Sequence, residues 1–122
     1  MRSVFAGESR MPARRYCSAT VVPSLWRLEV ANMLRNATRR GRCDEDFAVA
    51  SLSRLDRFKI RIDDETDQHA WGATRTLSRE EGLTTYDAAY LELALRKGLP
   101  LASCDGDLIQ AAGRRSVEVY TA

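Results

Sequence analysis

From Thr20 onward the chain alternates brief apolar runs with longer stretches of helical periodicity, and that alternation restricts it to the α/β class, with helices packed on a short parallel sheet. The expected strands are 20–22, 58–62, 99–103 and 117–120, and the expected helices are about 24–40, 44–56, 65–81, 85–97 and 106–112. Several boundaries have a physical cause. Pro23-Ser24 opens the first helix, Gly41 closes it, Gly82 and Gly98 end two others, and Pro100 follows the last of these. There is no internal repeat and no run approaching the roughly 20 apolar residues that cross a bilayer.

At 122 residues the chain has the size of one domain, and its 44% hydrophobic and 30% charged residues exclude disorder and an extracellular disulfide scaffold. Residues 1–19 are rich in arginine, nearly free of acids and without a sustained period. They are read as an irregular lead-in, with 20–122 as the domain. The balance of 19 basic and 17 acidic residues gives a net charge of +2, so attraction to a polyanion would have to come from local clusters. Three widely spaced cysteines, Cys17, Cys43 and Cys104, form no C-x-x-C pair and fit a reducing cytoplasm. With His69 the lone histidine, a histidine-rich metal site and an H-E-x-x-H motif are excluded.

The densest acidic run is Asp63, Asp64, Glu65 and Asp67. It reads as carboxylates favouring the positive end of a helix, since it lacks the alternating ligands and central glycine of a calcium loop. Arg35, Arg39, Arg40 and Arg42 form the main basic cluster, either a solvated helix end or a phosphate contact. No recognition helix accompanies it, so a DNA-binding regulator has little support.

Three other carboxylates carry more chemistry. On a helix over 24–40, Trp26, Val30, Met33 and Ala37 form an apolar stripe, and Glu29, Asn32, Asn36 and Arg39 lie opposite. Glu29 and Asn32 then stand side by side. The stretch 84–97 is apolar nearly all round, with Glu92 and Arg96 as its polar edge and Asp87 on the face committed to burial. Asp87 is either part of a capping box with Thr84 or a ligand at the rim of the core. Asp105, with Asp107 two residues on, follows an apolar strand and is either an N-cap or a carboxylate presented to a cation. In a parallel sheet with helical crossovers, helices begin at the carboxyl edge of the strands, where such folds keep their sites. Glu29, Asp87 and Asp105 all belong at that edge. Gathered carboxylates repel, so such a cluster either binds a divalent cation or is partly protonated, and oxygen-only ligands favour Mg²⁺ or Mn²⁺ over zinc.

These residues bring the sequence close to a known family. Val21-Val22-Pro23-Ser24-Leu25-Trp26-Arg27-Leu28-Glu29-Val30-Ala31-Asn32, Leu83-Thr84-Thr85-Tyr86-Asp87-Ala88-Ala89-Tyr90-Leu91-Glu92-Leu93-Ala94 and Leu99-Pro100-Leu101-Ala102-Ser103-Cys104-Asp105 resemble, in order and spacing, the PIN domain of the VapC-type ribonuclease toxins. The resemblance implies a three-layer PIN-like fold and a Mg²⁺- or Mn²⁺-dependent endoribonuclease of a type II toxin-antitoxin module. It further implies Glu29, Asp87 and Asp105 as catalytic metal ligands, Asp107 as an auxiliary ligand, and Asn32 and Thr84 as groups orienting water or carboxylate. RNA substrate, a cognate antitoxin and a homodimer are the partners it implies.

One departure stands out. The family opens with a short central strand ending in an aspartate, and nothing in residues 1–19 matches it. Three explanations compete: a misassigned start codon, a true truncation, or replacement of the strand by another chain. The alternative function is therefore an inactive or impaired PIN remnant serving as an antitoxin-binding or dimerisation module.

Overall fold

The computed structural model describes residues 20–120. In chain order the elements are β1 (Thr20–Val22), α1 (Trp26–Arg39), α2 (Glu45–Leu55), β2 (Ile60–Ile62), a short α3 (Thr66–His69), a π-helical turn (Ala70–Thr74), α4 (Arg75–Glu81), α5 (Thr85–Lys97), β3 (Leu101–Ala102), α6 (Gly106–Arg114) and β4 (Val119–Tyr120). This is the α/β arrangement the periodicity predicts, with strands trimmed to two or three residues. One difference is the stretch 65–81, expected as a single helix. It runs through a π turn holding Gly72, a poor helix former.

The strands pair in parallel as two separate couples among the described residues. β1 runs beside β2 with Thr20 opposite Ile60, and β3 beside β4 with Leu101 opposite Val119. The opening strand that the resemblance places at the centre of the sheet would fall in residues 1–19, so its expected absence lies outside the described residues.

α5 is the helix around which the rest packs. Ala88 through Ala94 are all buried, as an all-round apolar sequence requires, and α4, the π turn, α6 and β3 contact it. Leu91 and Leu108 are fully enclosed, and Trp26, Val30 and Leu34 close the core from α1. The α1 stripe is thus Trp26, Val30 and Leu34, spaced four apart. Met33, assigned to it from the sequence, is 40% exposed, and Ala37 is only half-buried. A four-residue repeat drifts by about 40° per step around the helix, so a stripe spaced four apart and one spaced three and four apart differ by a modest rotation, and the choice rests on what packs against them.

Helix ends follow local chemistry. Asp44 accepts the Phe47 N–H at 2.8 Å to cap α2. Gly41, at φ +71°, closes α1 with a Schellman turn: the Arg42 N–H donates to Ala37 O at 2.9 Å and the Gly41 N–H to Thr38 O at 3.1 Å. That turn folds Arg42 back along the flank of α1.

The expected polar edge of α5 is instead a buried ionic knot. Glu92 is only 5% exposed, and Arg96 bonds it through Nε at 2.8 Å while gripping Asp63 at 2.7 and 3.1 Å. Thr66 Oγ1 donates to Asp63 Oδ2 at 2.9 Å and accepts the Ser24 N–H at 3.0 Å. Asp63 therefore locks the exit of β2 to α5 rather than serving the dipole of α3. Its carboxyl is held down to about 2, from 3.8, chiefly by the Arg96 hydrogen bonds against the opposing effect of burial. A depressed carboxyl contributes stability above its unfolded pKa and loses it as pH falls through the folded one. Urea unfolding should therefore show about 2 kcal/mol lost between pH 5 and pH 2 that is attributable to this group, and Asp63→Asn should remove that portion of the pH dependence.

Candidate active site

Glu29 stands one turn into α1, half-buried, and Tyr90 of α5 donates its hydroxyl to Glu29 Oε1 at 2.6 Å. That bond joins two segments 61 residues apart. A hydroxyl–carboxylate bond of this length is charge-assisted and holds one carboxylate oxygen in a set direction. Asp87 lies three residues before Tyr90, so helix geometry puts it on the same face of α5, one turn nearer the helix start. Asp87 is half-buried, with buried Tyr90, Leu91 and Ala94 around it on that face.

Asp105 enters from the third direction. It follows β3, is 8% exposed, and caps α6 by accepting the Leu108 N–H at 3.2 Å through Oδ2. Its own N–H donates to Ser103 Oγ at 3.0 Å, and Ser103 is fully buried. Both readings of Asp105 thus share one residue: the cap fixes the carboxylate at the end of the strand. Asp107 is exposed in the first turn of α6. Thr84 caps α5, its hydroxyl accepting the Asp87 N–H at 3.1 Å, which is the capping half of the Thr84 and Asp87 pair. Asn32 is exposed beside Glu29.

The structure brings Glu29 to the Asp87 end of α5 and sets Asp105 in the turn after β3, a strand that α5 contacts. Among the described residues, the three carboxylates whose oxygens all lie within 4.8 Å of one another are Asp63, Asp64 and Glu65, not these three. In that tighter group Asp63 already has a cation, since the Arg96 guanidinium occupies both its oxygens. Two residues bonded to the candidate carboxylate residues are not evident from the sequence. Tyr90 reads there as core and Ser103 as strand, and the signal that marks them is their place in the same motifs, three residues after Asp87 and two before Asp105.

The family model for the PIN domain matches residues 7–114, most of the chain. The chain belongs to the PIN domain family. PIN domains are nucleases acting on RNA or DNA, commonly metal-dependent ribonucleases. No curated protein and no solved structure gives a significant match. No helix among the described residues is long and apolar enough to cross a membrane.

Beside Glu29 the PIN fold carries a groove of about 260 Å³ along α1, lined by Glu29, Asn32, Met33, Asn36, Arg40 and Arg42 among others. Acid stands at one end and two arginines at the other.

Proposed function

We propose that this PIN domain is a Mg²⁺- or Mn²⁺-dependent endoribonuclease of the VapC toxin type, with Glu29, Asp87 and Asp105 as its catalytic carboxylates. The observation that carries the reading is the Tyr90–Glu29 bond, which ties the glutamate of the first motif to the Tyr-Asp-Ala helix of the second. The donor set fits a hard divalent cation, since all three groups are carboxylates, and the Tyr90 hydroxyl on Glu29 Oε1 and the Leu108 N–H on Asp105 Oδ2 hold two of them in set directions. Glu29, Asp87 and Asp105 would hold the ion, with Asp107 as an auxiliary ligand from the solvent side. A bound divalent ion would supply an activated water and offset charge on the phosphate.

The protein's own groups have separable tasks. Tyr90 directs the Glu29 carboxylate, and Ser103 with the α6 cap directs Asp105. Asn32, exposed one turn from Glu29, offers an amide to a water or a phosphate oxygen, and Thr84 fixes the first turn from which Asp87 projects. Toxin function would add an antitoxin and a homodimer as partners, with the cytoplasm as the site of action.

Cleavage of labelled single-stranded RNA tests the reading. Activity should require Mg²⁺ or Mn²⁺, stop with EDTA, and fall at least about 100-fold in Asp87→Asn, the loss expected when a metal ligand or its charge is removed. Cleavage by both Asp87→Asn and the wild type at the background level would instead leave a PIN module without catalysis, the antitoxin-binding alternative.

A further inference from the structure

The groove on α1 has a polarity that the carboxylate cluster alone does not explain. Its lining comes from the flank of α1 beside the Trp26, Val30 and Leu34 stripe, where Met33 and Ala37 border the core and the polar residues turn away from it. Glu29 stands at one end. Arg40 and Arg42 stand at the other, about 16 Å away by helix rise from Glu29 to Arg40. Arg42 reaches the groove only because the Schellman turn at Gly41 folds the chain back.

Both arginines are exposed, and neither has an ion-pair or side-chain hydrogen-bond partner among the described residues. Arg96 is committed to Asp63 and Glu92, Arg114 to Glu81, and Arg115 to Glu80 and Glu81, whereas Arg75 and Arg79 on α4 are exposed like Arg40 and Arg42 but do not line the groove with the carboxylate at its end. Between the two ends lie Asn32 and Asn36, one turn apart, which present amide donors and acceptors without charge. Exposed guanidinium groups at the end of a helix, then amides, then a carboxylate match a phosphodiester strand. The phosphates pair with the arginines, the amides meet sugar or base edges, and the reacting phosphate arrives where a cation can stand between it and Glu29.

We propose that this groove is the path of the RNA strand, with Arg40 and Arg42 as phosphate contacts that set the register of the scissile bond. The proposal rests on the ribonuclease reading for its destination, but its electrostatics can be read without cleavage. Arg40 and Arg42 act here as positioning residues.

The test is fluorescence anisotropy of the full chain with a labelled oligouridylate in EDTA, across a KCl series. The slope of log affinity against log salt should become shallower by about 1.4 in Arg40→Gln/Arg42→Gln, because each single-strand phosphate that an arginine neutralises contributes about 0.7. Affinity at low salt should fall about tenfold or more. Arg75→Gln/Arg79→Gln, on α4 and equal in net charge, should keep the wild-type slope, and thermal melts should show all three proteins folded. Equal slope changes in both double variants, or none in either, would overturn the proposal, because only overall charge would then matter. Tighter binding of a poly-glutamate of matched charge than of the RNA would overturn it in favour of an acidic protein segment. A chain that shows the expected slope change yet never cleaves with metal keeps the groove and loses the nuclease. One that cleaves with the slope unchanged loses the groove alone.

Discussion

Arg96→Ala should lower the free energy of unfolding by about 3–5 kcal/mol, the range for breaking a buried ion pair by removing one partner. The cost comes from what the alanine leaves behind. Arg96 answers two carboxylates, Asp63 and Glu92, whose side chains are 2% and 6% exposed, and its Nη2 reaches both, at 2.7 and 3.0 Å. Without the guanidinium both acids either stay charged in a poor solvent for charge or take up protons, and each course costs free energy. Restoring a positive charge with Arg96→Lys should recover only part of the loss, since an ammonium cannot form the same two-pronged contact with Asp63. Neutralising the partners should recover more: Asp63→Asn/Glu92→Gln in the Arg96→Met background should be more stable than Arg96→Ala by at least about 1–2 kcal/mol. Urea denaturation at pH 7 reads all three. A loss below about 1 kcal/mol for Arg96→Ala would show that water reaches the knot and that it behaves as a surface pair.

Asp105→Asn should separate folding from chemistry. Asparagine caps helices as well as aspartate does, and its amide oxygen can still accept the Leu108 N–H, so stability should change by less than about 1 kcal/mol. The anionic charge, however, is gone. With one of three carboxylates neutral, Mg²⁺ or Mn²⁺ affinity and metal-dependent RNA cleavage should each fall by about 10- to 100-fold, the scale seen when groups around a metal are altered. Isothermal titration with Mn²⁺ alongside a cleavage assay separates the outcomes. A stable Asp105→Asn variant with unaltered metal binding and cleavage would confine Asp105 to capping α6.

The two residues differ in how far the sequence exposes their roles. Asp105 is readable because a strand running straight into an acid, a glycine and a helix is a local pattern, and capping is a local interaction. Glu29 and Asp87 are proposed for the site from motif spacing and from the rule that crossover helices start at one edge of a parallel sheet. Arg96 is not. Glu92 and Arg96, four apart on a helix, look the same on a wheel whether they face water or Asp63, and the partner that decides it sits 33 residues upstream. The acidic run 63–67 misleads for the same reason: its first member turns inward to Arg96 while Asp64 and Asp67 remain exposed.

Tyr90 and Met33 show the same limit from opposite sides. A tyrosine inside an apolar helix is indistinguishable from core until its hydroxyl finds an acceptor, here Glu29 across a separation of 61 residues. Met33 fits an apolar stripe by spacing alone, and loses its place to Leu34 because the core meets α1 one residue further round.

Local pattern was therefore enough to indicate the α/β class, the helix and strand order, capping as one of two roles at Thr84 and Asp105, and the motifs that mark a PIN domain, since each depends on neighbours within a few residues. The pairing of strands as two couples, the Arg96 knot, the Tyr90 bond to Glu29 and the groove ending at Arg40 and Arg42 depend on which distant surfaces meet. Those meetings are governed by burial and charge compensation summed over the whole fold, and no window along the chain contains both partners.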